Sequence, residues 1–264
     1  MSLSPEQAAQ WDQTRQPAIY GILSVLLVLS NVSLVLRLVA SWRQRGRLLV
    51  EDCLMLCAVM TSDGIIAALL TATAKGFGLH EFRVLASAQD QPTALIDIFQ
   101  IIWAYAVMNG LCFLTIKLSI LFFYRRLFFV QRWFRIAWWA NLTYAVLWFL
   151  GSTLFYIFQC SPVDYYWTRL GPLIENTATP VKTTAHCVGS ITSIGTPIML
   201  NTISDLSILI LPMPILLRLQ TTMQKQLRLL LLFTLGFAAT ASGFIRFASI
   251  FQNHKFSDQT CKLR

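Results

Sequence analysis

Residues 98–123 read IFQIIWAYAVMNGLCFLTIKLSILFF, an apolar run broken by one charge, Lys117. A helix needs about 20 such residues to cross roughly 30 Å of hydrocarbon. The run is continuous and does not alternate with period two, which predicts a helix and not a barrel strand. Working outward, five further runs have similar length and character: residues 18–40, 53–74, 136–158, 197–217 and 227–251. Together the six occupy more than half of the 264 residues. Composition agrees: 56% of residues are hydrophobic, and 12% are charged, about half the usual share. Mean hydropathy is +0.59. A disordered or fibrous chain is excluded, and a water-soluble enzyme is disfavoured. The expected fold is all-α, a polytopic transmembrane helical bundle of six helices.

Loop charge sets the expected orientation. The net charge is +9, and its cations sit in short clusters between the spans. One set of loops carries Arg43, Arg45, Arg47, Arg125, Arg126, Arg132, Arg135, Arg218, Lys225 and Arg228. The opposite set carries Arg15, Lys75, Arg83, Arg169 and Lys182, with most of the loop acids; the tail adds Lys255, Lys262 and Arg264 on that side. Positive loops stay in the cytosol, so the N-terminus and, with six spans, the C-terminus are expected outside, in the plasma membrane or an endomembrane. The expected organisation is an outer segment 1–17, a membrane bundle 18–251 with outer loops 75–97 and 160–196, and an outer tail 252–264. Residues 1–17 lack a basic n-region, so the first span is expected to stay uncleaved. Inner loops are short and basic, suited to a cytosolic signalling or pathway protein. Nucleic acid is not an expected partner, because no basic face accompanies a soluble fold.

Each charge inside a span needs an account. Asp63 lies roughly 15 Å from the inner end of its helix, Lys117 roughly 10 Å and Asp205 roughly 13 Å, and Asn31 falls at a similar level. These four form an expected buried polar layer. It could be a ligand or switch chamber for a small lipophilic molecule or pathway intermediate, or an internal Lys–Asp pair holding helices together. Arg246 is expected near the outer surface, at the interface or lining an outer vestibule with His80. Cys53, Cys57 and Cys112 lie in spans as small apolar fillers. Cys160 and Cys187 share the long outer loop, on the oxidising side, and are expected to form a disulfide. The three histidines lie in separate loops and the tail, so no metal site is expected. Nucleophile elbow, P-loop and H-E-x-x-H signatures are all missing from the sequence. The expected function is therefore non-enzymatic, with no catalytic residues and no cofactor.

Several motifs carry a resemblance. Residues 117–128, KLSILFFYRRLF, resemble the third-helix signature of the fungal rhodopsin-domain integral membrane proteins. That family takes in the satratoxin-cluster membrane protein and receptor-like relatives of the CFEM receptors. Glu51-Asp52 resembles its acidic pair opening helix two, and Gly76-Phe77-Gly78-Leu79-His80 its G-x-G-x-H. Phe158-Gln159-Cys160-Ser161-Pro162 with Trp167 resembles its F-x-C-x-P…W. Asn201…Asp205…Leu211-Pro212-Met213-Pro214 and Leu235-Gly236…Arg246 resemble helices five and six. The resemblance implies a receptor-like multi-pass protein associated with a secondary-metabolite gene cluster. It also permits a membrane-embedded, cyclase-like accessory enzyme or a non-enzymatic export partner of such a pathway. Retinal is not expected, because a Schiff base needs a lysine in the last helix and Lys117 is in the third.

The resemblance implies seven helices, and six spans are expected here, without the seventh. The stretch Ser257-Asp258-Gln259-Thr260 resembles the family's lead-in to that helix, and Cys261-Lys262-Leu263-Arg264 follows. Cys-Lys-Leu can be encoded by TGT-AAG-TTN, which contains the splice-donor string GTAAGT. The alternatives are a translated intron, with a seventh helix in the complete protein, or a true truncation.

Overall fold

The computed structural model describes residues 16–76, 92–129, 131–168, 186–188, 191–214, 234, 236–238 and 240–248. The side chains of 92–95 and 191–194 lie outside the described set. Among the described residues the fold is all-α but for one two-residue strand pair. In chain order the elements are α1 (Gln16–Arg45), α2 (Val50–Ala74), α3 (Pro92–Phe128), α4 (Arg132–Ile157), β1 (Cys160–Ser161), α5 (Tyr165–Thr168), β2 (His186–Cys187) and α6 (Ile191–Ile210). Residues 240–248 are also helical. Helices α1, α2, α3 and α4 are each long and apolar enough to cross a membrane, and α6 has a shorter apolar stretch, Gly195–Ile210. The expected sixth span, 227–251, falls largely outside the described residues.

The helices start ahead of the hydropathy runs, and α6 ends at Ile210, short of the expected end at 217. α3 starts at Pro92, so the end of the expected outer loop 75–97 is helical; α6 starts at Ile191, so the end of the expected loop 160–196 is too. Proline is tolerated in a helix's first turn, where its missing N–H has no intrahelical partner. A helix closes its own backbone bonds wherever it runs, so it need not stop where the lipid does. C-terminal ends behave alike: α1 carries Arg43 and Arg45 in its last turn, and α3 carries Arg125 and Arg126. Cations there also face the negative end of the helix dipole.

The chain forms two compact units, Met1–Phe113 with Thr153–Cys187, and Leu114–Ser152 with Val188–Arg264. In the first, α1 and α2 form an antiparallel hairpin. Gly46 makes the reversal, with φ +65° in the left-handed region and its N–H on the Trp42 carbonyl at 2.8 Å; a glycine fits there because it has no Cβ. At the far end the Gln16 side-chain amide donates to the Thr73 carbonyl at 2.9 Å. The small Ala58 and Ala72, 2% and 0% exposed, let backbones approach. Ile22, Val25, Leu29 and Leu36 of α1 are exposed, as suits a helix whose solvent is lipid.

In the second unit α3, α4 and α6 share a core of Leu121, Tyr124, Phe134, Trp138, Ile208 and Leu211. Trp138, 1% exposed, donates its indole N–H to the Leu121 carbonyl at 2.7 Å. That satisfies the polar end of a large buried ring.

Candidate functional site

The expected polar layer resolves into two pairs, one in each unit. In the first, the Asn31 side-chain amide donates to both carboxylate oxygens of Asp63, at 3.1 and 3.0 Å, and to the Leu27 carbonyl at 2.9 Å. In the second, Lys117 Nζ lies 3.1 Å from Asp205 Oδ1. The Lys117 side chain is 3% exposed and that of Asp205 32%. The ammonium also donates to the Asn201 carbonyl at 3.2 Å and sits 5.0 Å from the centre of the Trp148 ring. Asn201 in turn donates its amide to Asp205 Oδ2 at 3.2 Å. A charge-assisted bond, a backbone acceptor and an aromatic face together replace the water this cation has lost.

One face of α6 is organised around its carbonyls. Trp148 Nε1 donates to Pro197 at 3.0 Å, the Tyr144 hydroxyl to Leu200 at 3.0 Å and Lys117 to Asn201. Positions 197, 200 and 201 share a helix face, and Tyr144 and Trp148 are one turn apart on α4. A helical serine usually returns its hydroxyl to the carbonyl three or four residues back. For Ser204 those are Asn201 and Leu200, already engaged, and its Oγ is buried without a hydrogen-bond partner. Ser204 lines an open groove of about 240 Å³ with Ala140, Asn141, Tyr144, Ile203 and Ser207. Ser207 donates its hydroxyl to Asn141 Oδ1 at 2.7 Å. The polar groups along this groove are hydroxyls and an amide, chemistry that hydrogen-bonds a ligand.

A third cluster is built on the acidic pair Glu51-Asp52, which the sequence marked by its resemblance but without its partners. Asp52, 2% exposed, accepts from Ser41 Oγ at 2.6 Å, the Leu49 backbone N–H at 3.2 Å and Arg37 Nε at 3.3 Å. Its reach back to the residue before the helix is half of a capping box. Glu51 pairs with Arg45 at 3.3 Å. The available signal was an arginine inside a span facing an acidic pair across a tight turn.

Cys160 and Cys187 are disulfide-bonded, with Cα atoms 4.1 Å apart, and face each other across the β1–β2 pair. Nearby, Trp167 of α5 packs edge-on against Trp103, centroids 6.0 Å apart. Trp103 donates its N–H to the Tyr156 carbonyl. Arg246 is exposed on the helical stretch 240–248. His80 lies outside the described residues, so its expected vestibule with Arg246 has no geometry here. Among the described residues no cluster of three or more His, Cys, Asp or Glu could hold a metal.

A family model described as the fungal rhodopsin domain matches residues 36–263. Comparison with curated proteins and with solved structures returns no match.

Proposed function

The chain belongs to the fungal rhodopsin domain family, and on that premise we propose that this multi-pass membrane protein is a receptor-like, non-enzymatic protein whose ligand-responsive centre is Lys117–Asp205. The observation that carries the proposal is the placement of that pair. A cation and a carboxylate inside apolar spans are costly, yet here they are braced by Trp148 and Asn201, and Asp205 directly follows Ser204, which lines the groove between α4 and α6. A ligand that hydrogen-bonds Asn141 would compete with Ser207 for a contact that holds α6 to α4, and Ser204 Oγ offers it an unengaged hydroxyl. The ligand class is a small lipophilic molecule with a hydroxyl or carbonyl group. The N-terminus is placed outside, on the loop charges.

Association with a secondary-metabolite pathway rests on the motif resemblance. A strain lacking the protein, complemented with wild type or with Asp205→Asn at matched membrane levels, tests role and pathway together. The receptor role expects a changed total output in the deletion and Asp205→Asn strains with no single precursor piling up. Accumulation of one defined precursor, converted by membranes containing the wild-type protein, would replace the receptor role with a catalytic one.

A further inference from the structure

The tight turn between α3 and α4 carries Arg125, Arg126, Arg132 and Arg135, and residues 124–135 contain no acid. Two of its guanidinium groups, those of Arg125 and Arg135, lie over rings. Arg125 Cζ lies 5.0 Å from the centre of Phe129 and 5.4 Å from that of Trp138. Arg135 Cζ lies 5.1 Å from the same Phe129 ring. Phe129 is itself fixed edge-on against the buried Trp138, centroids 5.8 Å apart. A guanidinium over a ring face keeps its in-plane N–H fork outward, the geometry that binds phosphate oxygens.

The turn between α1 and α2 behaves differently. There Arg37 and Arg45 are taken by Asp52 and Glu51. Among the described residues no carboxylate forms an ion pair with Arg125, Arg132 or Arg135. Exposed apolar side chains flank the cluster: Leu127, Trp133, Ile136 and Trp139. The turn therefore offers acyl chains and indoles an apolar rim, and headgroups a set of oriented cations.

We infer that the α3–α4 turn is a docking site for the phosphates of anionic phospholipid headgroups in the leaflet it faces, built on Arg125 and Arg135 stacked about Phe129. A soluble acidic protein is the less suited occupant, because the cations sit beside lipid-facing apolar residues. Diffuse positive charge would attract such lipids whatever the ring did; a built site depends on Phe129.

Native mass spectrometry of the detergent-purified full chain, incubated with equal amounts of phosphatidylinositol phosphate, phosphatidylserine and phosphatidylcholine, reads the preference. The phosphoinositide adduct is expected to exceed the phosphatidylcholine adduct at least tenfold. Arg125→Gln with Arg135→Gln should weaken it about 30-fold, five- to six-fold per charge. Phe129→Leu, which keeps every charge, should weaken it severalfold, and Arg43→Gln with Arg47→Gln much less. Equal retention of the three lipids, or a Phe129→Leu protein that binds like wild type, overturns the proposal. So does capture of an acidic protein through this turn without any lipid preference. Should the double Gln variant unfold, Arg125→Lys with Arg135→Lys retains the charge, and its expected loss of the forked contact decides the matter.

Discussion

Lys117 carries a charge where hydrocarbon offers no water, and its partners define what its loss would do. Replacing it with Met leaves the Asp205 carboxylate without its cation, which should cost about 3–5 kcal/mol. Lys117→Met combined with Asp205→Leu should cost less than the two single changes summed, because neither charge is then stranded. Denaturation midpoints of the four proteins in one detergent measure the coupling; strict additivity would mean the two groups do not interact. Asp52 makes the same case at the helix end. Asp52→Ala strands Ser41, the Leu49 N–H and Arg37 at once, an expected loss of about 3 kcal/mol. Arg37→Ala, with an arginine 34% exposed at its side chain, should lose far less in the same melts.

Among the described elements, the first four spans were legible and their ends were not. Runs such as 98–123 announce a helix because lipid leaves no other way to satisfy the backbone. The ends at Pro92 and Ile191 depend on polar residues that stay helical beyond the lipid, and hydropathy is blind to those. The charged residues were legible as exceptions, since Lys117 and Asp205 stand out in apolar runs. Their surroundings were not: Trp148 looks like any span aromatic until α4 turns it over Lys117. Ser41 and Arg37 reach Asp52 only because Gly46 folds α2 back along α1. That turn gives its own test. Gly46→Ala places a Cβ on left-handed backbone and should cost about 1 kcal/mol, whereas Gly21→Ala, with nothing within 4 Å of the added carbon, should stay within about 0.5 kcal/mol. Equal effects on the hairpin's thermal stability would contradict the turn assignment.

At the scale of the whole molecule, sidedness joins the charge pattern to the disulfide. The Cys160–Cys187 bridge closes a loop of 27 residues in sequence and should stabilise by about 3 kcal/mol. Disulfides form on the oxidising side of a membrane, and the loop charges predict a cytosolic side for the arginine-rich loops. In sealed microsomes, a membrane-impermeant maleimide should label cysteines introduced at Gly46 or Gln131 from the cytosolic side. Thr177→Cys should react only after the membrane is opened, and Cys160 and Cys187 only after reduction as well. Cytosolic labelling of Thr177→Cys would reverse the assigned orientation.

The carbonyls of Pro197, Leu200 and Asn201 each receive a side-chain donor in addition to their own helix bond. A doubly bonded amide carbonyl vibrates at lower frequency than its singly bonded neighbours, so α6 carries a built-in spectral signature. Carbon-13 placed at the Leu200 or Asn201 carbonyl would make each rung visible in the infrared on its own. The engagement of Tyr144 and of Lys117 with α6 thus becomes something to watch in real time, in a native bilayer, with no label on the ligand and before its chemical identity has been established.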